Sequence, residues 1–594
     1  MTKTKIEGFD RSQVLAPLVI GITGHRDLRE EDRKALEDKV KEIFVKLHED
    51  YPETPLVLVS PLAEGADRLA AEAALSANVG VHLIVPFPMP QELYEEDFDH
   101  LADPGTSKGT ATKTSTRKEF HALLDKARSS FPLDLADGNT YERLAHQGPE
   151  RDRQYDVVGQ YIARQSQILI ALWDGVDSGR MGGTSSVVCY QTEGVPDRDV
   201  CALEAPEGFP AYHIFTPRQK NPHPEGPALS LRTIYPRVFR ESYAKAENYF
   251  GNMFRRLDEF NRYINRADDE LAKEIAQSKS YLLQKTREDE LPSGMLPALN
   301  RYAVADALAI RFQKHWLFAQ TVLHALILFA FVFFLLFADQ KEHWIGYLII
   351  SAVLVFFAFA LRISARKWAW DTQHEDYRAM AEGLRVKFFW RLTGIMDPIA
   401  DHYLGKQRSE LDWIRNGFRG WNVAEGAETH GKREPLHDGD LRKRLEFARK
   451  YWIDDQDKYF CRARAKNFEY HECLERAGRV CIIGVAILGV VLLVRSLFDL
   501  SFLEPVAIAL EVMLAGAAIF HHFNNRMAFA EHAKQYERVA TLFAHGSKLM
   551  GKFLKHHDCK NALQCVKNVG NEALAENGDW VLLHRERPLE VPHP

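Results

Sequence analysis

Four uncharged runs in the second half of the chain constrain its fold more than any other feature. Leu317 to Ala338 is 22 residues without a formal charge, interrupted only by Gln320, Thr321 and His324. At about 1.5 Å per residue such a helix crosses the roughly 30 Å hydrocarbon core of a bilayer. After the short polar loop Asp339 to His343, Trp344 to Leu361 adds 18 uncharged residues. A second pair follows: Val480 to Val494 is a run of 15, extended by Leu497 and Phe498, and Val506 to Phe523 returns after a short loop. Lipid offers the backbone no hydrogen-bond partners, so the runs predict four transmembrane helices in two antiparallel hairpins.

Basic residues give the orientation. Arg311, Lys314, Arg362, Arg366, Lys367, Arg476, Arg479 and Arg526 flank one side, whereas Lys341 and Arg495 lie near the other, with Arg495 snorkelling to the interface. The polar start MTKTKIEGFDRSQ has no apolar stretch of a cleaved secretory signal. The expectation is a multi-pass protein of the cell inner membrane with its N- and C-terminal regions in the cytoplasm. Its expected parts are a cytoplasmic nucleotide-binding domain over 1–240, a helical connector over 241–314 and a first hairpin over 315–363. A cytosolic helical region over 364–478, a second hairpin over 479–523 and a cytosolic helical tail over 524–594 complete the chain.

The two hairpins read as copies of one unit. Tyr377 follows Leu361 by 16 residues and Tyr536 follows Phe520 by 16, and each tyrosine opens a similar helical string. Glu511 lies five residues beyond Val506, about 7.5 Å into the second hairpin. It is read in two ways: as a pore-lining or gating carboxylate, or as a protonated or paired group that holds helices together, with Tyr347 at similar depth.

With 76 Lys and Arg against 82 Asp and Glu, the net charge of −6 argues against nucleic acid as a partner. Seven cysteines without a CxxC fit reduced thiols better than a disulfide framework. The cluster His556-His557-Asp558-Cys559 with Cys565 lacks a second ligand pair at zinc spacing, so no metal is expected.

Ahead of the membrane runs, strands alternate with helices. Strands are predicted at Leu18 to Ile22, Leu56 to Ser60, His82 to Pro86, Ile168 to Trp173 and Ala211 to Thr216. Leu36, Val40, Ile43, Phe44 and Leu47 mark the packed face of a helix over Glu30 to His48. This predicts an α/β doubly wound, Rossmann-like N-terminal domain joined to an all-α membrane domain with cytosolic helical extensions. Such sheets bind ligands at the carboxyl ends of their strands. Four strand-end segments carry the candidate nucleotide-binding residues. They are Gly21, Thr23, Gly24, His25 and Arg26; Pro61, Glu64, Gly65, Ala66 and Arg68; Trp173 and Asp174; and Arg180, Gly182, Gly183 and Thr184. Glycine turns let backbone N–H groups approach a phosphate at a helix N-terminus, and Arg26, Arg68 and Arg180 are candidate clamps. Asp67 reads equally as a helix cap. The polar stretch between Asp99 and Asp152, with its Thr-rich run from Thr106 to Thr116, reads as a lid or as disorder.

Taken together, GITGHR, SPLAEGADRLAAEAAL, IVPFP followed by Tyr94-Glu95-Glu96-Asp97-Phe98, and ILIALWDG with GGT resemble the SLOG superfamily over about the first 240 residues. The resemblance implies a pocket for a nucleotide, often NAD-derived or cyclic. The hairpins resemble two SLATT-type two-helix modules in tandem, and such pairings imply an effector of antiphage defence. In the hydrolase branch of the superfamily the glycine motif is followed by a catalytic Glu. Here Val187 follows Gly183-Thr184-Ser185-Ser186, so no catalytic residue and no cofactor are expected. The expected function is a nucleotide-sensing membrane effector. A signalling nucleotide would gate or oligomerise the four-helix region and disrupt membrane integrity. Expected partners are that nucleotide, membrane lipid, further copies of the chain and a cognate synthase of the signal. The alternatives are a membrane-anchored nucleotide hydrolase cleaving an N-glycosidic bond, with Glu64, Asp67 or Asp174 supplying a carboxylate, and a nucleotide-regulated channel or transporter.

Overall fold

The computed structural model describes residues 10–100, 109–177, 179, 181–195, 207–239, 241–284, 288–292, 294–339, 344–403, 411–426, 437–498 and 505–585. The candidate clamp Arg180 therefore lies outside the described residues. The chain forms two compact units: Met1–Asp268 with Pro398–Pro435, and Asp269–Asp397 with Leu436–Pro594. The stretch 241–314 is thus divided between them, and a segment from between the two hairpins belongs to the first.

In the first unit the strands are β1 (Leu18–Gly24), β2 (Leu56–Val59), β3 (His82–Phe87), β4 (Ser129–Pro132), β5 (Ile168–Trp173), β6 (Ala211–Phe215) and β7 (Leu231–Ile234). They make one sheet in the order β4-β3-β2-β1-β5-β6-β7. All neighbours are parallel except β6 and β7. Winding runs outward from β1 to β4, then returns to the other side of β1. That reversal between β1 and β5 is where a doubly wound sheet opens a crevice.

The longer helices of the crossovers are α1 (Glu30–Asp50), α2 (Ala66–Ser76), α3 (Gly109–Leu124), α4 (Pro149–Gln165) and α5 (Thr184–Glu193), and α6 (Tyr243–Asn265) follows β7. On α1 the buried apolar residues are Leu36, Val40, Ile43, Phe44 and Leu47, as the periodicity predicts. Val19, Val57, Val59, Ile84, Leu169 and Ala171 build one core with Val158 and Ile162 of α4, Val187 and Val188 of α5, and Val423. Val423 belongs to the helix Asp412–Ala424, whose Trp421 is fully buried and donates its indole N–H to Val14 O at 3.0 Å. The Thr-rich stretch expected as a loop is helical from Gly109, because Phe120 and Leu123, one turn apart, are buried.

Among the described residues the elements of the second unit are helical, the main ones being α7 (Asp269–Leu283), α8 (Leu296–Asp339), α9 (Ile345–Lys367), α10 (Trp370–Thr393), α11 (Asp454–Phe498), α12 (Pro505–Met527), α13 (Phe529–Lys555) and α14 (Cys559–Arg585), with a further helix Asp438–Ala448 and the turn Arg449–Ile453 ahead of α11. Helices α8, α9, α11 and α12 contain the four uncharged runs and are long and apolar enough to cross a membrane. Their apolar side chains face outward: Val480, Ile482, Ile487, Val490, Leu493 and Leu497 of α11 are 59% to 70% exposed. The two halves keep one register. α8 ends at Asp339 and α11 at Phe498; α10 begins after Ala369 and α13 after Ala528; each second position lies 159 residues after the first, as Tyr536 does after Tyr377.

Ala369 and Ala528 are both left-handed, with φ of 46° and 51°. One such residue turns a long apolar helix into its polar continuation, and it costs an L-residue about 1–2 kcal/mol. Ala369→Gly and Ala528→Gly should therefore each stabilise the full chain by about 0.5–1 kcal/mol, net of the added freedom of the unfolded chain. Thermal unfolding in detergent reads this, and a lowered midpoint in both variants contradicts it.

Candidate functional site

The carboxyl edge of the sheet is organised around Asp174, which follows β5 and is fully buried. Its carboxylate accepts from Arg218 Nε at 2.9 Å and Asn221 Nδ2 at 3.0 Å, and His25 Nε2 lies 3.0 Å from its other oxygen. Burial works to raise its pKa, but the Asn221 amide, the Val176 N–H and His25 outweigh burial and hold it below the usual carboxylate range. Burial also lowers His25 despite Asp174, so the imidazole favours its neutral form. Asp174 is thus a structural anchor that fixes the turn after β1 against the end of β5.

With that turn fixed, the loop after β2 closes on it. Ala66 donates its N–H to His25 O at 3.1 Å. Gly65 has φ of 82°, and a Cβ there would lie 2.4 Å from Arg26 O, so only glycine fits. Gly24 is equally tight: its Cβ would meet the Ala66 Cβ at 2.4 Å. α2 then starts without a side-chain cap, and Asp67, expected as that cap, sits in its first turn with its carboxylate on the Ala63 N–H.

Between these turns and α3 lies a cavity of about 170 Å³, lined by Arg26, Arg29, Arg33, Glu64, Gly65, Arg68, Thr116 and Glu119 among others. Arg29 pairs with Asp32 at 3.3 Å and Arg33 with Glu72 at 3.5 Å. Arg68 is 2% exposed. Its Nε donates to Leu62 O at 3.0 Å and its Nη1 to Thr116 O at 2.9 Å, while its Nη2 has no hydrogen-bond partner. The ring of Phe98 backs the guanidinium at 4.6 Å. Arg26 is exposed into the same cavity, lies 5.5 Å from the centre of the Tyr155 ring and forms no ion pair among the described residues. Glu64 is half-buried, and burial raises its carboxyl above the usual range against the pull of Arg68 and Arg26.

Of the sequence candidates, Arg26, Glu64, Gly65 and Arg68 meet in the cavity. Gly24, His25, Ala66 and Asp174 hold its frame. Thr23 ends inside β1, and Pro61 is buried in the loop after β2. Gly21 lies in mid-strand, where a Cβ would meet Ser166 Oγ at 2.4 Å, so it serves packing against α4. Trp173, Gly182, Gly183 and Thr184 belong to the end of β5 and the start of α5. There Gly182 N–H donates to Asp156 Oδ1 at 2.9 Å, so a carboxylate of the protein already occupies that turn. Asp97, from the segment Tyr94 to Phe98 after β3 but not among the candidate site residues, accepts from three residues no motif contains: from Gln147 at 2.7 Å, from Arg151 at 2.9 Å and from Tyr155. Gln147, Arg151 and Tyr155 stand four residues apart in sequence, a polar stripe that was the available signal.

Glu511 is exposed on the surface of α12, not enclosed by neighbouring helices. Among the described residues, the polar side chains buried within the apolar runs include Gln320, 1% exposed with neither amide heteroatom hydrogen-bonded, His324, whose Nδ1 lies 2.8 Å from Gln320 O, and Ser351, whose hydroxyl donates to Ala330 O at 2.8 Å. Asp558 accepts from the Asn561 N–H at 3.1 Å and from its side-chain amide at 2.6 Å, the role of a helix cap. No protein-family model, no curated protein and no solved structure matches the chain.

Asp67 gives the site a pH signature. Burial raises its pKa from 3.8 to about 7, against Arg26, the Ala63 N–H and Arg68. The folded chain therefore holds a proton that the unfolded chain releases, and stability falls as pH rises from about 4 to about 7. Asp67→Asn should remove this loss: relative to wild type its unfolding free energy should rise between pH 5 and pH 8, by on the order of 2–4 kcal/mol at pH 8, with the thermal midpoint moving in the same direction. A pH-independent difference contradicts the assignment.

Proposed function

We propose that the chain is a nucleotide-sensing membrane effector. The observation that carries this reading is the pair Arg26 and Arg68, which line one cavity at the strand ends, with Arg68 Nη2 buried and without a hydrogen-bond partner. A buried guanidinium N–H without an acceptor costs about 1–3 kcal/mol, which an anion would recover. Next to it the uncapped first turn of α2 directs its dipole at the same space. A volume of about 170 Å³ is below the roughly 300–1,000 Å³ of a whole small-molecule pocket, so it suits the phosphate-bearing end of a ligand. The resemblance to SLOG domains adds the nucleotide, NAD-derived or cyclic.

The outward apolar surface of α8, α9, α11 and α12 supports membrane insertion, because an apolar patch far above a few hundred Å² requires cover. With the basic flanks counted, the N- and C-terminal regions face the cytoplasm and the membrane is the inner one. On this reading the nucleotide shifts the four-helix region, within an oligomer, to a state that disrupts the membrane in antiphage defence. A switch from 1:99 to 99:1 needs roughly 10⁴-fold tighter binding to the second state.

A second reading, hydrolysis of an N-glycosidic bond, is favoured by Glu64, whose raised carboxyl lies in the same cavity. One experiment separates the two. The full chain in detergent is screened by thermal shift against linear and cyclic adenine nucleotides, ADP-ribose, cyclic ADP-ribose forms and NAD, and the nucleotide is recovered for mass spectrometry. The sensor reading expects one class to raise the midpoint and to return intact, with Arg26→Ala weakening binding about 10- to 100-fold and abolishing nucleotide-dependent leakage from liposomes. Cleaved product establishes the hydrolase, and unchanged binding in Arg26→Ala overturns the pocket.

A further inference from the structure

Within the second unit, α8, α10, the turn Arg449–Ile453, α11, α13 and α14 line a separate, partly open cavity of about 120 Å³, outside all four uncharged runs. Its long axis follows the helices. Along α13 the lining passes from Gln535 and Tyr536 through Val539 to Phe543, a rise of about 12 Å. The far end is apolar and aromatic: the rings of Phe460 and Phe543 stack 5.9 Å apart, and Trp452 meets Phe543 at 6.3 Å. The near end holds acceptors.

At that end Glu576 of α14 is half-buried, takes a hydrogen bond from the Gln535 side chain, and forms no ion pair among the described residues. Gln535 Oε1 is buried without a hydrogen-bond partner. The other charges in the lining are already matched: Glu382 lies 2.5 Å from Arg378 Nη2 and 2.7 Å from Arg385 Nη1, and Asp306 lies 3.8 Å from Arg378. Arg378 is thus committed to Glu382 and Asp306, and Arg538 acts on Glu576 only through space, so Glu576 has no ion-paired cation among the described residues. A carboxylate, a spare amide oxygen and an apolar channel together define an amphiphile with N–H groups at one end.

We propose that this cavity binds a small primary alkylammonium, its N–H groups on Glu576 and Gln535 Oε1 and its chain along Val539 and Phe543. An apolar cavity of about 150 Å³ takes benzene, so 120 Å³ takes a chain of about four carbons. Burial raises the Glu576 carboxyl above its usual range, and an arriving ammonium restores its charge.

The test uses the full chain in detergent, titrated with n-butylammonium chloride, with 1-butanol and with sodium butyrate, followed by calorimetry and by tryptophan fluorescence, since Trp452 and Trp580 line the cavity. The expected result is saturable binding of n-butylammonium, at least 10-fold tighter than either analogue. Glu576→Gln should weaken it at least 10-fold and Gln535→Met several-fold. Should Glu576→Gln fail to fold, Gln535→Met carries the comparison. Equal binding of 1-butanol would reduce the site to an apolar void, preference for butyrate would assign it to Arg378, and absence of saturable n-butylammonium binding to the folded wild type would leave it a water-filled space. Each of these overturns the proposal.

Discussion

The carboxylate of Asp174 has no contact with water, and the carboxyl edge of the sheet is arranged to satisfy it. A buried carboxylate survives only with several donors around it, and here they come from the turn after β1, the segment after β6 and the backbone beyond Asp174 itself. Once that turn is pinned, Gly65 must approach Arg26, α2 must begin uncapped, and the arginines take up positions facing one space. The cavity is therefore a consequence of charge burial elsewhere, not of a glycine motif acting alone.

Much of the first unit was legible in the sequence. β1, β2, β3, β5 and β6 are short apolar runs between turns, and α1 shows its periodicity outright. β4 and β7 were not legible: both are four-residue edge strands, half-exposed and without an apolar run, and their pairing comes from neighbours rather than from their own residues. The segment from Pro398 illustrates a different limit. Trp413, Ile414, Phe418 and Trp421 announce a buried helical face, but periodicity does not name the surface that buries it. The candidate site divides in the same way. The strand-end motifs locate the edge, whereas the choice of the β2 side over the β5 side depends on Asp156 occupying the turn at Gly182, a contact between residues 26 positions apart.

In the second unit the hydropathy pattern gave the four apolar helices and their pairing, and the repeat of Tyr377 at Tyr536 marked a register that the helix ends share. The shared register extends to backbone conformation, since each half breaks at a left-handed alanine. It does not extend to the polar interior. Gln320 and His324 of α8 correspond by register to Arg479 and Ile483 of α11, which are both exposed, so the buried polar pair of the first half is not repeated at those positions of the second. Glu511, the charge most conspicuous in the sequence, is exposed, because hydropathy gives the depth of a residue along a helix but not its direction around it.

The segment Pro398–Pro435 means that the chain passes between its two units three times: after Asp268, after Asp397 and after Pro435. Two units on one linker separate when it is cut. Here a protease that nicks any single crossing leaves two covalent bridges intact, and the pieces stay at high effective concentration for one another. Genetic truncation behaves differently. A chain stopped before Pro398 loses the helix that buries Val423 and Trp421 in the core of the first unit, although that helix lies beyond the first hairpin in sequence. Completion of the sheet unit during synthesis therefore waits for the first pair of apolar helices to have been made.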